Sequence, residues 1–493
     1  MNIITLYRTS IIEKYRLIII FLFVIVPKIS LAKINIEVKI SPITNLIRQL
    51  DCVSECCGHC RPIENYQQLW SNTFIHSATD HGMIKKWKEV MEQYKNVNLL
   101  GLTNMAQKLN IASFQAKKSS DYFERLDLLI TPEDQEIIKT IINHFYPTFM
   151  KWWNEDAKTH GKNFSNKFTK ALRCQKMSDQ IKQFTTFYQT DFKEANFRIN
   201  LFYIPRLINS NNQGELIERY VTIGFYSYQT PNDIIDIPLH EFSHWLFRQN
   251  SQDQLTQLEN KFLSMNSLTA KAAYNLLDEV LATALNQGII TRANKPKKQW
   301  VEYLSHEQSF YNDEYIDKAA KAIIPLLDLW LANKKTIYSN DFVKEYVTTL
   351  EKSFNDGELL APQAQLRKMV LYTNNQINKN LYNEVMKAFT TDLFYHTSEY
   401  NDHKYANLNG LLIVDPQDLN QTKLLNLLPQ DQIDIIKAEF EKKDQVIYSY
   451  QKDLSSILYV LVAKDYNSIL ALLNKLATLK EGLKGGTLIY DEN

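Results

Sequence analysis

Helical spacing of hydrophobic residues dominates the chain up to about residue 191. From residue 82 to residue 94, apolar side chains recur every three or four positions, as on the buried face of an amphipathic helix. Thr131-Pro-Glu-Asp134 combines an N-cap residue, a first-turn proline and acidic side chains, and predicts a helix that runs through Met150. The same spacing predicts helices over residues 316–333 and 339–353. Most of the chain is therefore expected to be helical.

Alternating apolar and polar residues predict a smaller number of strands. Residues 33–42 alternate regularly and are typical of a half-buried strand. Residues 197–204 and 220–227 have the same pattern on either side of a turn rich in asparagine and glycine, residues 209–214. The second of these strands comes directly before the segment that carries the candidate chemistry.

The last part of the chain combines both patterns. A break near Pro362 is followed by strand patterns at residues 411–414 and 457–462, and an apolar helical segment comes after each of them. The two segments have similar sequences, at residues 424–428 and 472–476. This similarity predicts a small α/β domain with an internal repeat.

One helical segment contains the motif His-Glu-x-x-His, within Asp236-Ile-Pro-Leu-His240-Glu241-Phe-Ser-His244. Residues four apart lie on the same face of a helix, so His240 and His244 can bind one metal ion together. Glu241 is one position round the helix and can act as a base on a water molecule at that metal. Asp236 and Pro238 are typical of a helix start, with Asp236 as the N-cap residue, and a longer, kinked helix that begins near Asp233 is the equal alternative.

A third metal ligand is expected downstream, because catalytic zinc has three protein ligands and one open position. Residues 274–285 form a second apolar helical pattern, and it contains two adjacent carboxylates, Asp278 and Glu279. Side chains of neighbouring helical residues point about 100° apart, so only one of the two can face the metal. We favour Glu279, and Asp278 is the alternative.

This arrangement resembles the gluzincin zinc metallopeptidases, in which a later helix supplies a glutamate ligand. The resemblance covers about residues 197–285 and implies one Zn²⁺ ion bound by His240, His244 and Glu279, with Glu241 as general base. Thermolysin-like members have an aspartate four residues after the glutamate ligand, whereas this chain has Thr283, whose hydroxyl is expected to take that supporting role. The N-terminal part of the chain also resembles exported bacterial proteins of unknown function that carry this motif.

The resemblance implies two further parts of a peptidase site. In gluzincins, a strand at the cleft pairs with the extended substrate, and the strand at residues 220–227 is expected to take this role. A side chain must also donate a hydrogen bond to the oxyanion that forms when water attacks the carbonyl. His306 and Tyr311 are the candidates for this donor, and the alternative is that these aromatic residues only pack.

Charge and the N-terminus narrow the choice of partners and compartment. The net charge is +1, so nucleic acid is not expected as the main partner. Residues 1–32 have a basic start, a short apolar run and small residues at a cleavage site, which together predict a signal peptide. We therefore expect a secreted or periplasmic protein with no stable membrane span after cleavage, and a peptide or protein as its substrate. An uncleaved membrane anchor is the alternative for residues 1–32. The oligomeric state is not predicted.

Four of the five cysteines lie within nine positions: Cys52, Cys56, Cys57 and Cys60. Cysteines in an exported protein usually form disulfides, which is the favoured interpretation. A metal site and an unpaired or inhibitory thiol are the alternatives.

Taken together, the patterns predict an α+β, mostly helical fold in four parts. These are a signal peptide (1–32), a helical N-terminal region (33–190), a zincin-like catalytic domain with short edge strands (191–355) and a small C-terminal α/β accessory domain (360–493). The expected function is zinc-dependent peptide hydrolysis. The alternatives are a binding protein with weak or no catalysis, a cell-wall peptide amidase, and an N-terminal region that is a removable propeptide.

Overall fold

Two mixed sheets, each covered by helices, organise the described part of the chain. The computed structural model describes residues 33–56, 70–72, 75–95, 103–190, 194–204, 214–294, 300, 309–355, 357–373, 380–391, 393–398, 408–452, 456–483 and 488–489. The prediction of an α+β, mostly helical fold is confirmed. The predicted signal peptide lies outside the described residues.

The N-terminal region is one strand followed by a run of helices. Thr131 caps the fifth of these helices by accepting a hydrogen bond from the backbone of Asp134, as its sequence predicts. A π-helical turn (Trp153–Ala157) joins the fifth helix to the sixth. The elements are β1 (Lys33–Ile40), α1 (Pro42–Ser54), α2 (Ala78–Lys95), α3 (Met105–Gln115), α4 (Ser119–Leu126), α5 (Pro132–Trp152), α6 (Lys158–Leu172) and α7 (Gln175–Phe187).

The first sheet has the strand order β1-β2-β4-β3 and includes β2 (Glu194–Ile204), β3 (Gly214–Ile217) and β4 (Tyr220–Tyr226). Strands β1, β2 and β4 are parallel, and β3 is antiparallel to β4. The strand predicted to pair with substrate, β4, therefore lies between two others and has no open edge. That prediction was wrong. The edge strand on this side of the sheet is β3, which begins at Gly214, the last residue of the predicted turn.

The N-terminal helices and the metal-binding region share one hydrophobic core, which extends from Ile43 to Ala364. The first strand lies in the same sheet as the strands from residue 194 onward, with Lys33 opposite Glu194. Removal of residues 33–190 as a propeptide would take β1 out of this sheet and expose the core beneath α1. The predicted boundary at residue 190 thus falls inside a shared core.

Further helices follow the first sheet in the described part of the chain. They are α8 (Asp236–Arg248), α9 (Gln252–Leu263), α10 (Leu268–Leu285), α11 (Arg292–Asn294), α12 (Glu314–Ala332) and α13 (Phe342–Ser353). Helix α8 packs on β2, with the ring centroid of Phe242 5.1 Å from that of Phe197. It begins at Asp236, and Ile235 occupies the N-cap position, so the prediction of Asp236 as N-cap was wrong by one residue.

The C-terminal domain is a six-stranded sheet with helices on both faces. Its strand order is β10-β8-β9-β7-β5-β6, and separate cores lie on the two faces. Residues 424–428 belong partly to a 3₁₀ turn (Thr422–Asn426), whereas residues 472–476 lie in an α-helix, so the predicted internal repeat was wrong. The elements are α14 (Pro362–Gln365), β5 (Lys368–Thr373), α15 (Asn380–Ala388), β6 (Leu393–Thr397), β7 (Asn409–Val414), α16 (Gln430–Lys443), β8 (Gln445–Gln451), β9 (Ile457–Ala463), α17 (Tyr466–Thr478) and β10 (Leu488–Ile489).

The cysteine cluster and the expected lack of a membrane span are the last sequence features to compare with the described residues. Cys52 forms a disulfide, and Cys56 is buried with its Sγ atom 3.6 Å from Asp51 Oδ1. Cys57 and Cys60 lie outside the described residues. Among the described helices, none has the length and apolar composition needed to cross a bilayer.

Candidate metal centre

Helix α8 presents two imidazole rings to one point in space. His240 and His244 are one helical turn apart, and their Nε2 atoms lie 3.0 Å from each other. The ring planes are inclined by 80°, with centroids 4.7 Å apart. His244 is buried and His240 is half-buried, so the pair lies at the boundary between the core and an accessible face. Two lone pairs that converge in this way are suited to share one cation.

Helix α10 brings a carboxylate to the same point. Glu279 Oε1 lies 3.2 Å from His244 Nε2, and Glu279 Oε2 lies 3.5 Å from His240 Nε2. Each of the three residues offers a ligand atom, and these atoms all lie within 4.8 Å of one another. This is the one group of its kind found in the described part of the chain. The sequence predicted these three residues as ligands, and the fold brings them together.

The spacing of the three ligand atoms suits a tetrahedral ion. Zinc–nitrogen and zinc–oxygen bonds of about 2.0–2.1 Å separate neighbouring ligand atoms by about 3.3 Å in tetrahedral geometry. Here the two Nε2 atoms are 3.0 Å apart, His244 Nε2 lies 3.2 Å from Glu279 Oε1, and His240 Nε2 lies 3.5 Å from the other carboxylate oxygen, Oε2. Two imidazoles and one carboxylate are also the donor set of many hydrolytic zinc sites. The residues present therefore fit a zinc ion.

The neighbouring carboxylate, Asp278, does not join the ligand atoms. Its Oδ1 atom lies 2.9 Å from Nδ1 of His244, on the opposite side of the imidazole from Nε2, as an ion-pair contact whose angles fall outside hydrogen-bond geometry. A carboxylate in this position favours a proton on Nδ1 and leaves the Nε2 lone pair available to a metal. Asp278 therefore contacts the candidate ligand His244, and the fold does not place it as the third candidate ligand instead of Glu279.

The buried charges at this centre perturb one another strongly. Burial lowers the pKa of His244, but the carboxylates of Asp278 and Glu279 more than offset this and hold it well above its usual value. Burial likewise raises the pKa of Glu279, and the imidazoles of His244 and His240 outweigh burial and hold it well below the ordinary range. Without a metal, the site is thus an ion-pair cluster, and a bound cation would take the place of the proton.

Asp236 is a further carboxyl group near this centre that the sequence indicated only as a helix cap. It lies one helical turn before His240, and burial raises its pKa despite hydrogen bonds from its own backbone N–H, that of Ile237 and the Gln287 side chain. The sequence could have predicted that Asp236 lies near the two histidines, because residues 236, 240 and 244 share one face of the helix.

The predicted general base lies beside the edge strand. A Cβ atom placed on Gly214, the first residue of β3, would be 3.0 Å from Glu241 Cγ and 2.8 Å from Ile237 Cγ2. Glu241 is half-buried. The edge strand and the Glu241 side chain are thus in close contact, and a side chain at residue 214 would force Ile237 and Glu241 to shift.

The remaining predicted site residues have different positions. The ring of Tyr311 stacks on that of His240, with centroids 6.0 Å apart and planes inclined by 22°. Thr283 is buried, and its hydroxyl makes no hydrogen bond within the described residues, so the fold does not connect it to a ligand as predicted. Asp278 occupies the supporting position instead. His306 lies outside the described residues.

Comparisons with known proteins add no constraint. No protein-family model, curated protein or solved structure matches this chain.

Proposed function

We propose that this protein is an exported zinc-dependent peptidase. The observation that supports this is the convergence of His240, His244 and Glu279, with the carboxylate of Glu241 on the same helix and beside the edge strand. The gluzincin pattern contains the same residue types in the same order along the chain. The predicted signal peptide supports a secreted or periplasmic location.

Each residue then has a defined task. A zinc ion held by the three ligands would polarise the substrate carbonyl and lower the pKa of a coordinated water. Glu241 accepts a proton from the attacking water and later delivers it to the leaving amine. Asp278 holds the His244 ring in the tautomer that leaves Nε2 free for the metal.

Two features beside the ligands would contact the substrate. Strand β3 has an open edge within the described sheet, and an extended peptide can add to such an edge by backbone hydrogen bonds. Tyr311 lies against His240, where its hydroxyl is a candidate donor to the developing oxyanion. The addition of a substrate strand to β3 suits peptides because its backbone hydrogen bonds require no particular side chain.

Metal analysis and three substitutions test the proposal. Purified wild-type protein should contain about one zinc per chain and cleave components of a mixed-peptide library or of cell-wall peptides, as read by mass spectrometry. Glu241→Gln should retain zinc and lose nearly all hydrolysis, whereas His240→Ala and Glu279→Ala should lose the metal. If Glu241→Gln cleaves as fast as the wild type, the assignment of the base and of the activity is wrong.

A further inference from the structure

The C-terminal domain contacts the metal-binding region through a buried ion pair. Arg367, between α14 and β5, is 1% exposed, and its Nη1 atom donates to Asp313 Oδ2 at 2.8 Å. Asp313 is the N-cap of α12, and its Oδ1 atom accepts hydrogen bonds from the backbone of Tyr315 and Ile316. One carboxylate thus joins the start of a catalytic-region helix to a residue of the C-terminal domain.

The segment that ends at Asp313 carries Tyr311, whose ring stacks on the ligand His240. On the other side of Tyr311, the backbone N–H of Phe310 donates to Asp317 Oδ1 at 2.5 Å. The described part of this segment is therefore fixed at residues on both sides of Tyr311, and one of the two fixed points depends on Arg367.

The same short stretch of the C-terminal domain also holds the helix that carries Glu279. Asn275 of α10 donates to the carbonyl oxygen of Gln365 at 3.2 Å. The ammonium group of Lys368 lies 4.2 Å from the ring centroid of Tyr274, also on α10. Asn409 of β7 donates in turn to the same carbonyl of Gln365 at 2.8 Å, which anchors the stretch to the C-terminal sheet.

A buried charge is costly to leave without its partner, so Arg367 and Asp313 strongly favour one relative position of the elements that carry them. We propose that Arg367 is a positioning residue of the active site: through Asp313 it holds Tyr311 against His240, and the C-terminal domain is thereby a working part of the peptidase. This inference rests on the proposed function for its kinetic consequences. Its structural content, the order of residues 309–313, can be measured without any activity.

The first test is hydrogen exchange of the full-length chain, with and without added zinc. Arg367→Met keeps the length of the side chain and removes the charge, and should increase deuterium uptake in peptides that cover residues 309–316. Arg198→Met is the matched control, because Arg198 of β2 pairs with Glu37 of β1 in the first sheet, with Nε 2.8 Å from Oε2, and no contact links this pair to residues 309–316 in the described part of the chain. This control should leave uptake over residues 309–316 unchanged. If Arg367→Met also leaves it unchanged, the proposal is overturned.

The second test uses kinetics and distinguishes positioning from general destabilisation. Arg367→Met should retain zinc and lower kcat by about 10- to 100-fold, since a displacement of about 1 Å can cost that much. Tyr311→Phe should lower kcat in the wild-type background and have little further effect in the Arg367→Met background. Fully additive losses would contradict coupling between the two residues.

Two further variants keep these tests decisive. If Arg367→Met does not fold, Asp313→Asn removes the same charge pair and keeps an amide oxygen that can accept the cap hydrogen bonds of Tyr315 and Ile316, and the same outcomes apply to it. Arg367→Lys should recover part of the lost kcat by restoring the charge. If wild-type protein shows no peptidase activity, the proposed function fails, and hydrogen exchange still decides whether Arg367 orders the Tyr311 segment.

Discussion

Asp278 Oδ1 lies 2.9 Å from Nδ1 of His244, so the carboxylate that precedes the candidate ligand Glu279 contacts a second candidate ligand. Adjacent residues of α10 thereby face two different atoms of one cluster, with Glu279 at Nε2 and Asp278 at Nδ1 of the same ring. Supporting carboxylates of this kind orient the imidazole and increase its basicity toward a metal.

We predict that Asp278→Asn retains the metal site with lower affinity. The neutral amide supports the Nδ1 proton less well than a carboxylate, so zinc affinity should fall by about 10- to 100-fold. Competition with a chromogenic chelator at constant pH measures this change. Asp253→Asn, at an exposed position in the first turn of α9, is the matched control and should leave the affinity unchanged. Equal affinities for wild type and Asp278→Asn would contradict a supporting role.

The contact between Gly214 and Glu241 leads to a second prediction. An added methyl group at residue 214 would overlap Ile237 and press on Glu241, and both must shift to accommodate it. We expect Gly214→Ala to retain zinc and to lower kcat/KM by about 10- to 100-fold through displacement of the base or of the edge strand. Metal content and kcat/KM, measured on the same preparation, check both parts. Loss of zinc together with activity would indicate wider damage to the site instead.

Gly82→Ala is the matched glycine substitution and carries a prediction of its own. Gly82 lies in α2 at an exposed position, and an added Cβ would have no atom within 4 Å. Alanine is the better helix former, so this variant should raise the free energy of unfolding by about 0.5–1 kcal/mol and leave peptide hydrolysis unchanged. Urea unfolding measures the gain. A loss of stability would mean that α2 is not helical at this residue.

The features that the sequence predicted well depend on nearby residues. The cap at Thr131 and the apolar stripe of α12 are local patterns, and the structure reproduces both. The two histidines are four residues apart in one helix, so their shared direction follows from helical geometry alone. The third candidate ligand was harder to predict than the two histidines. Whether Glu279 or Asp278 faces them depends on how α10 is rotated about its axis against α8, and many packing contacts set that rotation.

The features that the sequence did not predict depend on distant residues. Strand β3 has only four residues, too few to show an alternating pattern, and its place at the sheet edge follows from pairing with β4. The pairing of Lys33 with Glu194 joins parts of the chain that are separated by helices α1 to α7 of the described residues. The local likeness of residues 424–428 and 472–476 was misleading, since surrounding packing selects a 3₁₀ turn for most of one segment and an α-helix for the other.

Asp80 provides a prediction about stability and pH that is independent of the metal. Its carboxylate accepts hydrogen bonds from the backbone N–H groups of His76 and Ser77, and His144 Nε2 of α5 lies 2.6 Å from Oδ1. The hydrogen bond with His144, followed by that from His76, holds the pKa of Asp80 far below its usual value in the folded chain. This contribution to stability is therefore fully present above the unfolded-state pKa of about 3.9 and is lost as the pH falls below it.

Replacing this carboxylate should accordingly change both the stability and its acid dependence. Asp80→Asn is expected to lower the free energy of unfolding at pH 7 by about 1–3 kcal/mol, because hydrogen bonds to a charged acceptor are replaced by bonds to a neutral one. The difference in the free energy of unfolding between wild type and Asp80→Asn should become smaller below about pH 4. At such pH values the Asp80 carboxylate of the unfolded wild-type chain takes up a proton, which favours unfolding of the wild type. Urea unfolding of both proteins from pH 7 to pH 3 gives the comparison. A difference that stays constant over this range would show that charge on Asp80 is not what links α2 to α5.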